Sequence, residues 1–210
     1  MFRTVAVVLS VLTLAGLAPL SAAAEPHPAS RDPAKAPAGV YVLDKNHASL
    51  TMRLSHMGMS GFTLRFDSFD AHYTYDPANP EASKIEVSID AGSLSVGDPK
   101  IGPKFAREFL DAEASPKITF VSTSIQRAAA TETGGPVVGT VTGDLTFRGV
   151  TKPVTLQVTF NGTGPGLLGG HRMGFSATTD IKRSDFGSHQ YEGMVGDDVH
   201  LDIEVEFQRK

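Results

Sequence analysis

Seven histidines are the side chains best suited to hold a metal ion or to move a proton near neutral pH. His47, His56, His72, His171, His189 and His200 are spread through the chain, and no two share the close spacing of a helical zinc motif. Each is therefore read as structural, and no metal centre is assigned. His56, just before the glycine-rich break Gly58 to Gly61, is nominated as a contact for a ligand head group at a cavity mouth. Cysteine is absent, which removes disulfides, thiolate metal sites, thiol catalysis and lipidated cysteine anchors. Ser184-Asp185-Phe186-Gly187 contains the kinase triplet without a phosphate loop, a strand lysine or a His-Arg-Asp segment, so Asp185 is assigned to a turn, with Arg183 as its ion-pair partner. Gly162 to Gly170 lacks the Gly-Lys-Ser/Thr ending of a phosphate cradle, and Asn161-Gly162-Thr163 is a glycosylation sequon. No Gly-x-Ser-x-Gly elbow occurs, and no catalytic residue is nominated.

The chemistry that remains is apolar, and strand faces carry it. From Val137 to Phe147 the apolar residues Val137, Val141, Leu145 and Phe147 fall on odd positions. From Val154 to Phe160 they fall on even ones. Strand side chains point to alternate faces, so each half is a strand with one apolar face, and Arg148-Gly149 reverses the chain between them. Pro153 lacks an N–H and belongs where the ladder is open. Two extended pieces flank Lys45-Asn46, with Leu50, Met52 and Leu54 on one face. In Phe62 to Tyr75 the apolar phase slips near Asp67-Ser68, which reads as a β-bulge in one continuous strand. Further strands carry Ile85 to Ile89, Ile118 and Phe120, Phe175 to Ile181, and Val199 to Phe207. Ile101, Phe105 and Phe109 recur at helical spacing with Pro103 in the first turn, predicting one short amphipathic helix stopped by Ser115-Pro116.

Eight or nine one-sided strands close into a barrel or stack as a sandwich, and the long strands favour the barrel. Ahead of them, residues 1–24 have the form of a secretory signal peptide: Arg3, an apolar run from Val5 to Leu17, and Ala22-Ala23-Ala24 as cleavage site. Residues 25–39 are Pro/Ala-rich and read as a disordered tether, leaving 40–210 as the folded domain. Cleavage would leave 18 basic against 23 acidic side chains and no stable membrane anchor. Without a basic patch, a nucleic-acid partner is disfavoured.

YVLDKNHASL, LSHMGMSGF, FAREFLDAEASPKITFVS, LTFRGVTKPVTL and IKRSDFGS, in this order from Val40 to Phe207, resemble the YceI-like family of bacterial exported proteins. The resemblance implies an all-β fold, an antiparallel lipocalin-like β-barrel of about eight strands with one short inserted helix. It also implies a periplasmic location and a long-chain isoprenoid lipid, polyprenyl or quinone-like, held in the lumen without another cofactor.

On that reading Leu145, Phe147, Leu156 and Val158 line the lumen, beside Leu54, Phe66, Ile118, Phe120 and Phe175, while Phe105 and Phe109 cover one mouth. An eight-stranded barrel is wide enough to fill with side chains or to hold one small ligand. A ten-residue strand spans about 33 Å at about 3.3 Å per residue, which suits an elongated chain. Two rivals remain open: an enzyme acting on the lipid, and a structural or stress-response partner with a packed barrel. The oligomeric state also stays open, a dimer included.

Overall fold

The computed structural model describes residues 29–128, 136–166 and 169–210. The signal peptide expected over residues 1–24 lies outside them. A bent antiparallel sheet closes on itself. Its first strand, β1 (Gly39–His56), is followed by β2 (Ser60–Phe66), β3 (Phe69–Tyr75), β4 (Lys84–Asp90) and the two-residue β5 (Leu94–Ser95). The helix α1 (Gly102–Leu110) interrupts the strands, and β6 (Lys117–Arg127), β7 (Val137–Phe147), β8 (Val150–Pro165), β9 (His171–Lys182) and β10 (Val195–Arg209) complete them. Each long strand pairs with its sequence neighbour, β4 pairs with β6 across the helix, and β10 pairs back onto β1. The β10–β1 pairing closes the barrel, while the far side of β2 is paired only at Arg65 and Phe66, by β5.

The β7–β8 hairpin has the expected register, Val137 opposite Phe160 and Phe147 opposite Val150. Arg148 and Gly149 both take positive φ, 52° and 74°, the geometry that lets a two-residue loop follow the twist of its strands. Pro153 lies opposite Asp144 of β7 where β8 has no partner on its other side, because pairing with β9 begins at Gln157, so the missing N–H interrupts no ladder there. The odd face of β7 points inward, and at Gly143 it carries no side chain. A Cβ there would lie 2.5 Å from Phe120 Cζ, so the glycine gives the Phe120 ring its place against the sheet.

Three local expectations need correction. The expected bulge at Asp67-Ser68 is a break between β2 and β3, which pair with opposite ends of β1. Ser93 fills it: its carbonyl accepts from Asp67 N–H and its hydroxyl from Ser68 N–H. Conversely, the two pieces expected around Lys45-Asn46 are one strand whose register on β10 slips between Leu43 and Ala48. The helix ends before Ser115-Pro116, at Asp111, which takes φ 54° and returns its N–H to the carbonyls of Ala106 and Arg107.

Residues 30–39 are not a free tether. Ser30 forms a bridge with Thr163, a short 3-10 turn spans Pro33–Lys35, and Ala36 is buried. The segment is a strap across one barrel end, tied down by Tyr41 and Tyr75, whose hydroxyls donate to the carbonyls of Pro37 and Pro33. Its composition offered no periodic apolar face, and backbone carbonyls supply the polar ties.

Candidate lipid-binding lumen

Two apolar clusters form the interior. One gathers Tyr41, Tyr73, Tyr75, Phe160, Met173 and Phe207 at the strap end. The other gathers Leu50, Phe66, Ile89, Ile118, Phe147 and Phe186 with the inner face of α1. Tyr73 is the hub of the first, with the rings of Tyr75, Phe175 and Phe207 centred 5.5 to 5.9 Å away. Burial pushes its phenol well above the ordinary range, and it pushes Tyr41 and Tyr75 up as well. All three stay neutral, as an apolar wall requires. Tyr73 lies beside Ser83, yet the buried Ser83 Oγ has no hydrogen-bond partner of good geometry among the described residues.

Each cluster borders a cavity. The strap-end chamber, about 170 Å³, has walls that include Pro33, Phe69, Tyr73, Val141, Met173 and Phe207. The helix-end chamber, about 410 Å³, has walls that include Met52, Phe62, Phe105, Phe109, Ile181 and Val199. The nominated residues divide between them. Phe120, Leu156, Val158 and Phe175 line the strap-end chamber. Leu54, Phe147, Phe105, Phe109 and His56 line the helix-end chamber. Phe66, Ile118 and Leu145 line neither. They pack at the level between the chambers, because inward-facing residues of adjacent strands meet there and fill the waist.

At the helix end aromatic rings pack edge to face: Phe105 on Phe109 at 5.3 Å and Phe62 on Phe105 at 6.3 Å, with Phe109 then leaning on Tyr191 at 5.5 Å. His56 is exposed at this rim, its ring 6.3 Å from Phe62. It is a rim residue, not a core histidine.

Arg183 is the wall residue that hydropathy could not have placed. It is 4% exposed, and its guanidinium lies 5.8 Å from the centre of the Phe109 ring. Its Nε donates to Gly196 O, Nη1 to Ser188 O and Gln190 O, and Nη2 to Val195 O, so backbone carbonyls replace water around the charge. The ion pair expected with Asp185 is absent from this set: Asp185 lies 3.9 Å from Lys152, and Asp197 caps Ser184. Arg183 thus fixes the loop that carries Tyr191 and Met194 over the chamber.

A polar cluster sits on the outside of the barrel at the β1 slip. Asp44, His47 and Glu206 bring ligand-type atoms within 4.8 Å of one another. Arg172 occupies the position a cation would take, its Nη1 donating to both Asp44 and Glu206. The Asp44 carboxyl is held down to about 2, first by the hydrogen bond from His47 and then by Arg172. This cluster pins the irregular part of β1 to β9 and β10.

Known proteins share this architecture and sequence. Residues 41–207 match the model of the YceI-like domain. A UPF0312 protein of Pseudomonas putida strain GB-1 is 41% identical over 175 residues, covering 82% of this chain and 88% of that protein. The solved YceI protein of Campylobacter jejuni is 30% identical with a TM-score of 0.64, covering 74% of this chain and 90% of that one. A polyisoprenoid binding domain from Saccharophagus degradans has the same fold at 15% identity and a TM-score of 0.60, over 81% of this chain and 98% of that one. Spanning the barrel from the start of β1 to the end of β10, these matches make the chain a member of the YceI-like family.

Proposed function

We propose that this protein binds a long-chain isoprenoid-type lipid in its barrel lumen and sequesters or carries it unchanged in the periplasm. The observation that carries the reading is the pair of apolar chambers inside a closed barrel, lined by side chains from nearly every strand. The polyisoprenoid binding domain among its structural relatives supports the same ligand class. Burying a methylene contributes about 0.8 kcal/mol, so ten carbons offer about 8 kcal/mol before ordering costs. One head-group hydrogen bond at an exposed rim adds about 1 kcal/mol. The tail therefore dominates the affinity.

The test is a titration of prenyl chains of several lengths, each carried on two head groups. Retention that follows chain length supports the reading, and Leu156→Ala in the chamber wall should weaken it. Affinity that follows the head group and ignores length would sink it in favour of a polar site near His56. Recovery of a chemically altered lipid would replace carriage by catalysis. Export is tested by N-terminal sequencing of the secreted protein, which should begin at Glu25.

A further inference from the structure

The two chambers share no wall residue. Along the inward face of β7, Val141 belongs to the strap-end chamber and Phe147 to the helix-end chamber, with Gly143 and Leu145 between them. On neighbouring strands Phe120 and Val87 line the strap-end chamber, while the next inward residues, Ile118 on β6 and Ile89 on β4, belong to the helix-end cluster and line neither chamber. A partition of Phe66, Ile89, Ile118, Leu145 and Val154 crosses the lumen.

Its members differ in freedom. Phe66, Ile89 and Ile118 are 3%, 6% and 7% exposed and belong to the buried cluster. Leu145 and Val154 are only partly buried, which makes them the less tightly packed members. Val154 is branched at Cβ and confined in χ1, whereas leucine exchanges between rotamers at modest cost. Directly opposite Leu145 across β6 is Phe120, whose ring is held against Gly143 and leaves the strap-end side of Leu145 walled by a fixed aromatic surface. Of these five side chains, Leu145 is the one that is both partly buried and free to exchange rotamers.

We propose that Leu145 is the gate between the chambers and sets which chain lengths the barrel accepts. This rests on the lipid-binding reading above. A short prenyl chain fills one chamber and leaves the gate closed. A chain that occupies both must displace Leu145, and the cost of doing so falls on long chains alone.

The experiment is a competition between farnesol and solanesol for the protein, with the bound ratio read by native mass spectrometry. Leu145→Ala should raise the solanesol-to-farnesol ratio about tenfold, and Leu145→Phe should lower it by a similar factor. Leu145→Met keeps the volume and adds flexibility, so it should raise the ratio about threefold even where the alanine variant folds poorly. Ratios within about twofold of wild type in both the methionine and phenylalanine variants overturn the gate while leaving lipid binding intact. Wild-type protein that binds neither alcohol refutes lipid binding, and the gate with it.

Discussion

The hydroxyl of Tyr75 donates a hydrogen bond of 2.8 Å to the carbonyl oxygen of Pro33, joining the end of β3 to the strap that precedes β1. Pro33 is also a wall of the strap-end chamber, so the bond holds one side of that chamber in place. Tyr41 makes the equivalent tie to Pro37 at 2.7 Å. Ser30 and Thr163 exchange two backbone bonds beyond them. The Tyr75 tie and the Ser30 bridge span residues distant in sequence, the Tyr41 tie is local, and none depends on an apolar repeat.

Removing one tie should loosen the strap without unfolding the barrel. Tyr75→Phe keeps the ring in the Tyr73 cluster and deletes the bond, a loss of about 1 kcal/mol. Arg31 lies inside the strap and is exposed, so trypsin should cut there several-fold faster in the variant. Cleavage at the wild-type rate would mean that the Tyr41 tie and the Ser30 bridge hold the strap alone.

Gly143 is predicted to resist any side chain. A Cβ at this position would meet Phe120 Cζ and the Val121 carbonyl oxygen at 2.5 Å each, and the second contact is backbone that cannot turn away. Gly143→Ala should therefore destabilise by about 1–3 kcal/mol, read as a lower urea midpoint at unchanged slope. An unchanged midpoint would show that β6 and β7 can separate enough to admit a methyl group.

The strands were legible in the sequence because their period of two survives in every one-sided segment, and the 137–160 hairpin was fixed further by the turn at Arg148-Gly149. The phase slip at Asp67-Ser68 marked the right place, but period alone could not distinguish a bulge from a break filled by Ser93. The apolar faces gave the lumen as a set. Their division did not show, because whether Leu145 borders a cavity or a partition depends on which side chains meet it from other strands. Arg183 was misassigned for a related reason: its partners are carbonyls of Ser188, Gln190, Val195 and Gly196, and a sequence does not display carbonyls as candidate ligands.

Phe109 should matter to both stability and ligand exchange. Its ring touches Phe105, Tyr191 and the Arg183 guanidinium, and it lines the helix-end chamber while remaining only partly buried. Full burial of a phenylalanine would imply a loss of about 3–5 kcal/mol on truncation, so partial burial places Phe109→Ala near 2 kcal/mol. Dissociation of a bound prenyl chain should quicken in the same variant. A stability loss with unaltered dissociation would assign the ring to packing only.

The cluster at the β1 slip predicts an acid-dependent contribution. Asp44 titrates at about 2 in the folded protein against 3.8 for a free aspartate, mainly through His47 and then Arg172. A carboxyl with a depressed folded value stabilises the fold fully above its unfolded value and loses that contribution as pH falls through the folded one. The window therefore runs from about pH 4 down to about pH 2. Arg172 remains charged throughout, since both carboxylates raise its own value. Arg172→Gln removes the guanidinium that joins Asp44 to Glu206, with a loss of about 1 kcal/mol at neutral pH after solvent screening. The gap between wild type and variant should be level from pH 7 to pH 5 and close towards pH 2, as denaturant midpoints at each pH would report. A gap that stays constant to pH 2 would mean that Arg172 acts through the packing of its stem, and the charge on Asp44 contributes nothing.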